Sequence, residues 1–287
     1  MKTPFVWQVL WPWLFYEVIL AALSLLLARV IGDMGVMLLS MTVASAVLYP
    51  VYFFREGCLP VTKSAAADTV ETEKKTAGSK KRRLFLWVTV TAVSACLFFN
   101  AFLIITGLGG RYGSYAETAK ILFSASRWMQ LLVMGLAAPL CEEVIFCGLV
   151  YRRIQKEKGT AAAVFWSALL FALFHGNLLQ GIYADVLGIL LALACQCSFG
   201  AAVWFHSCAN LSSIGMNYLL AVCPSLWFSR AVCFLFLAVG GAGMILGMFR
   251  MGEFIVKKIP KGKTSNMIIV RNDAKETSDA DLCGKRK

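Results

Sequence analysis

The feature that most constrains this chain is the recurrence of apolar stretches about 20 residues long. Each can cross a hydrocarbon core of roughly 30 Å at about 1.5 Å per helical residue. Reading these runs gives about eight helices, near residues 6–30, 34–54, 84–107, 127–153, 160–177, 179–198, 200–222 and 226–249. Lipid offers no partner for backbone N–H and C=O groups, so such runs must be helices, and the expected fold is an all-α polytopic membrane protein. With 59% of the 287 residues apolar and 15% charged, a soluble domain, a disordered chain and a small disulfide scaffold are excluded. The first run is too long for a signal-peptide core and leads through Gly32-Asp33 straight into the second, so it reads as a span.

The formal charge of +12 is mostly a matter of topology. With a cytoplasmic amino terminus, 23 of the 28 Lys and Arg residues fall on the inner side, leaving Arg29, Arg111, Lys120, Arg127 and Arg230 outside. That bias predicts both termini in the cytoplasm and an even number of spans. The basic residues flank spans and do not interleave with aromatics on a soluble face, so no nucleic-acid partner is expected. Four regions follow: an N-terminal helix pair (1–54), a basic cytoplasmic linker (55–83) ending in Lys80-Lys81-Arg82-Arg83, a membrane core (84–250) and a polar basic tail (251–287). The tail's basic residues are suited to anionic head groups at about 1 kcal/mol each.

Eight of the ten cysteines lie in or beside apolar runs, where thiols serve as small packing groups; only Cys58 and Cys283 have polar surroundings. No Cys-x-x-Cys pair occurs, and a disulfide framework is not expected of thiols spread through a bilayer.

Ionisable residues inside lipid carry the functional information, because a charge near the bilayer centre costs at least about 2.5–3.5 kcal/mol. Glu17, Glu142, Glu143 and Asp185 are the intramembrane acids, and His175 and His206 are the only histidines of the chain. Glu142 and Glu143 are adjacent, so their side chains leave the helix about 100° apart and should have different tasks. Pro139 just upstream loosens the helix at that depth. His206 and Asn210 stand at i and i+4, on one helical face. Two carboxylates, two imidazoles and an amide on three spans are the inventory for activating a water and holding an oxyanion. Competing templates are missing: there is no His-Glu-x-x-His, no Gly-x-Ser-x-Gly, and only Asp185 could serve an aspartyl dyad.

The order Glu142-Glu143, then Phe171-x-x-x-His175, then His206-x-x-x-Asn210, each in its own span, resembles the CPBP family of intramembrane proteases over roughly residues 85–250. That family includes the Ras-converting CAAX prenyl endopeptidase and bacterial Abi proteins tied to bacteriocin self-immunity. The resemblance implies that Glu142 and His175 activate the water, that His206 and Asn210 steady the oxyanion or help hold a metal, and that Glu143 supports them. His175, His206 and Glu142 would be the ligands if the enzyme used zinc; the same residues serve a metal-free water, the route favoured here. The chain departs from the pattern at Cys147, where the motif has an arginine one turn beyond Glu143. Glu143 should therefore be protonated, solvated, or paired with Arg152 or Arg153.

The expectation is an intramembrane endopeptidase in a bacterial membrane, cleaving a membrane-associated or hydrophobic peptide in peptide processing or bacteriocin self-immunity. The alternative is a catalytically impaired scaffold or immunity protein, which the missing arginine favours. A transporter comes third; its cues are Asp185, Glu17 and the small-residue run Gly240-Gly241-Ala242-Gly243, which is better explained by close helix packing.

Overall fold

The computed structural model describes residues 4–56, 70–224 and 229–258, which are helical with short links and contain no strand. The first helix, α1 (Phe5–Val51), is interrupted at Gly32, where φ of +69° and ψ of 169° leave the helical region and suit glycine alone. The break falls where the expected spans 6–30 and 34–54 meet. A π-helical turn, Tyr52–Glu56, ends the element.

The second helix, α2 (Val70–Thr106), begins well before the expected third span. Its first turns are rich in Glu, Lys and Ala, good helix formers that hydropathy alone does not reveal. The Lys80–Arg83 run is therefore helical, and its side chains are exposed. Two short helices, α3 (Leu108–Arg111) and α4 (Gly113–Ser124), fill what reads in sequence as a plain connection, and neither contains a buried residue.

Then come α5 (Arg127–Lys158), α6 (Thr160–Phe174), α7 (Leu178–Cys197), α8 (Phe199–Val222) and α9 (Arg230–Lys258). Among the described residues five helices are long and apolar enough to cross a membrane: Phe5–Arg55, Gly78–Thr106, Arg127–Lys158, Leu178–Cys197 and Arg230–Val256. The chain is thus an integral membrane protein. Eight spans become five because α1 counts once across its break, α6 has only 15 residues, and α8 is diluted by Ser, His and Asn.

Helix α5 is the centre of the bundle, with 83% of its most apolar window buried against 6% for α1. Around it α6 packs on α7, and α8 packs on both α2 and α7. On α9, Gly240, Gly243 and Gly247 face Ser94, Phe98 and Thr91 of α2 so closely that a Cβ at Gly240 would lie 2.7 Å from backbone atoms of Phe98 and Ser94. The glycine run is a packing seam, and that transporter cue is absorbed. Residues 1–251 form one compact unit; of the second, 252–287, the part up to Lys258 is described and helical. Residues 57–69 and the tail beyond 258, with Cys58 and Cys283, lie outside the described residues.

The reading of all the membrane cysteines as free packing groups is corrected at two positions. Cys147 of α5 and Cys195 of α7 form a disulfide, with Cα atoms 5.8 Å apart. Sequence spacing could not show it, because the partners lie 48 residues apart on different helices and only packing brings them together.

Candidate active site

The helix that carries the glutamates is irregular for a traceable reason. Ser126 caps it, accepting from the Met129 N–H at 3.3 Å, and buried Gln130 donates to the carbonyls of Phe123 and Ala125. At Val133–Ala137 the hydrogen bonding slips to i+5, so the Ala138 N–H reaches the Val133 carbonyl. The next donor in that register, for the Met134 carbonyl, would be Pro139, which has no N–H. Asn210 of α8 supplies the missing donor: its Nδ2 bonds the Met134 carbonyl at 2.8 Å. A second π-helical stretch, Val144–Tyr151, follows the glutamates. Such bulges re-aim side chains, and here they flank the two carboxylates.

Glu142 and Glu143 are 6% and 1% exposed. Although they leave the helix in different directions, they meet on one imidazole. His206 Nδ1 lies 2.9 Å from Glu143 Oε1, and its Nε2 lies 3.8 Å from Glu142 Oε2. The first contact is a hydrogen bond in which the ring donates. The second is too long for one, and Glu142 Oε2 has no hydrogen-bond partner. Glu143 is thus held by His206. Arg152 lies over the Tyr52 ring, and Arg153 lies over Trp11 and donates to the Gln8 carbonyl. The site of the motif's arginine is taken by the Cys147–Cys195 disulfide, which with Glu143 lines a small void behind the glutamates.

His175 ends α6. Gly176, at φ +68°, turns the chain, and Asn177 caps α7 by accepting from the Gln180 N–H at 2.9 Å while its amide bonds Gln180 Oε1. The His175 Nδ1 sits 2.8 Å from the Phe171 carbonyl, which can only accept, so Nδ1 carries the proton and Nε2 is left available. The Phe171 ring packs edge-on against both imidazoles, with centroids 4.8 Å from His175 and 5.7 Å from His206.

Glu142, His175, His206 and Asn210 all line one cavity of about 370 Å³. Glu143 lies behind it, reaching it only through His206. Tyr16, Glu17, Asp33 and Gln180 also face this cavity and were not assigned to the site from sequence. Gln180 belongs to none of the three motifs, and the α1 residues depend on a packing partner that hydropathy does not specify. Asp185 lines none of the cavities next to the glutamates or histidines. Among the described residues no three His, Cys, Asp or Glu side chains are grouped to hold a metal. His206 gives only Nδ1 to Glu143, which leaves its Nε2 for other partners.

Two buried carboxylates on a helix long and apolar enough to cross a membrane are thus packed with two imidazoles from neighbouring helices, a set of groups capable of acid–base chemistry. Comparison with known families gives this class a narrower name. Residues 124–212 match the family model of the type II CAAX prenyl endopeptidase Rce1-like proteins, so this segment is similar to the CAAX-protease family that the motifs resemble. The match is shorter than the resemblance read from the motifs, yet it contains all five candidate residues. No curated protein and no solved structure matches the chain significantly.

Proposed function

We propose that the protein is an intramembrane endopeptidase in which Glu142 activates water against a peptide bond of a hydrophobic or membrane-associated substrate. The observation that carries this reading is the unpartnered Oε2 of Glu142, a residue that lines one cavity with His175, His206 and Asn210. A water held there donates one hydrogen to Glu142 Oε2 and the other to His175 Nε2, which turns its lone pair toward a substrate carbonyl. Glu142 takes the proton as the C–O bond forms and returns it to the leaving amine. His206, oriented and charge-balanced by Glu143, presents Nε2–H to the developing oxyanion. Asn210 has a second amide hydrogen free for the same oxygen, its first being given to Met134.

In this route no step passes through a metal. Activity should therefore survive strong chelation, and reversible loss restored by zinc would replace this route with a metal-bound one. In vesicles, Glu142→Gln, His175→Ala and His206→Ala should each reduce cleavage to background with the protein still inserted, and combining them should add little. Asn210→Ala should cost on the order of 10²–10³ in rate, as expected for one oxyanion donor. Near-normal cleavage by the Glu142→Gln protein would put the chemistry elsewhere. The scaffold alternative rested on the missing arginine, and the bond between Glu143 and His206 weakens that ground. In a bacterial membrane with both termini cytoplasmic, such an activity would serve peptide processing or self-immunity.

A further inference from the structure

Resting on the peptidase reading, we infer that the site selects peptides by polarity, taking apolar residues on one side of the scissile bond and a cationic residue on the other. The inference comes from the two flanks of the imidazole pair. His175, His206 and Asn210 line two cavities at once. One, of about 150 Å³, is walled by residues such as Phe99, Leu103, Phe123, Leu187 and Phe205 and contains no Asp, Glu, Lys or Arg. A volume of that size holds a benzene-sized group, so it fits one large apolar side chain.

The second cavity, which shares Thr118 and Gln180 with the first as well, differs in charge. The 370 Å³ cavity contains Glu17, Asp33 and Glu142, and shares Asp33 and Ile121 with a more open cavity of about 620 Å³ lined by Glu117 and Lys120. In a chain of net charge +12, this route from the Gly32 break to the site carries four carboxylates and one ammonium. Glu17 is oriented by the Trp13 indole N–H at 3.0 Å, while Asp33 and Glu117 form no hydrogen bond or ion pair among the described residues. The acidic lining does not stand alone as an argument. Glu142, more than nine-tenths buried and with Oε2 unpartnered, lines the same cavity, so the inner end of the route already carries a polar group without a partner. A cleft of one sign with low-dielectric walls concentrates the opposite charge and raises its rate of entry. A peptide crossing the site therefore lies with its apolar flank against Phe99 and Phe205 and its basic flank toward Asp33.

The test uses purified full-length protein and synthetic peptides with one Phe/Leu-rich half and a second half carrying Lys-Lys, Gln-Gln or Glu-Glu, made in both orders. Binding is read by fluorescence anisotropy and cleavage by mass spectrometry. In one of the two orders the Lys peptide should exceed the Glu peptide at least tenfold in kcat/KM at low ionic strength, mainly through KM, and salt should shrink the ratio. Asp33→Asn with Glu117→Gln should reduce that ratio at least fivefold, and Asp33→Lys, at an exposed position, should lower it further. Cleavage of all three peptides with equal kcat/KM, or a ratio untouched by these variants, overturns the inference and leaves the peptidase reading intact. Lys-selective binding that the variants abolish, without cleavage of any peptide, sustains the charge selection and removes the peptidase reading. Absence of both preference and cleavage removes both.

Discussion

Position 147 shows how one residue changes the chemistry that its neighbours must do. An arginine there would face Glu143 one helical turn away; with cysteine, Glu143 is bonded to His206 and the thiol is tied to Cys195. Cys147→Arg should therefore do harm: it leaves Cys195 as a lone thiol and buries a cation whose expected partner is engaged. The loss should be several kcal/mol and visible as a lower Tm than that of Cys147→Ser. A higher Tm would mean that Glu143 prefers the guanidinium and that the imidazole contact is secondary. Asn210 offers a second test at this scale. If it exists partly to satisfy the carbonyl that Pro139 leaves open, Pro139→Ala supplies a backbone N–H and relieves it. Asn210→Ala should then cost about 1 kcal/mol less stability in the Pro139→Ala background than alone, measured by a double-mutant cycle.

Helices show where sequence reading succeeds and where it stops. The apolar runs gave α5, α6, α7 and α8 within a few residues, because a hydrocarbon-spanning helix needs a long uninterrupted apolar stretch. The three motifs picked out residues that the fold packs together, because polarity inside lipid is costly enough to be informative. The short α3 and α4 escaped notice, being too brief and mixed to produce a period. The meeting of both glutamates on His206 escaped it too, since the 100° rule describes a regular helix and α5 carries π-helical turns on either side of the pair. The glycine seam was read correctly as packing, and it is testable. Gly243→Leu would drive a side chain into Ser94, and Gly240→Leu would drive one into the α2 backbone. Each should cost about 1–3 kcal/mol or more by overpacking, measured by thermal unfolding in detergent, whereas Gly252→Leu, with open space around it, should cost little.

At the scale of the whole molecule the basic residues supply an orientation. Reporters fused within residues 57–69 and after residue 258 should both report cytoplasm, and opposite sides would refute an even number of spans between them. The disulfide has a consequence at this scale as well. It closes a covalent ring from Cys147 to Cys195 that contains the α5–α6 link at Gly159, all of α6 and His175. A protease that nicks the chain at Gly159 would therefore not release its two parts. On a gel without thiol the nicked protein should migrate as one species, and with thiol as two. The glutamates and His175 would then lie on fragments that share no continuous backbone yet stay joined, so a cut chain would keep both halves of the candidate site.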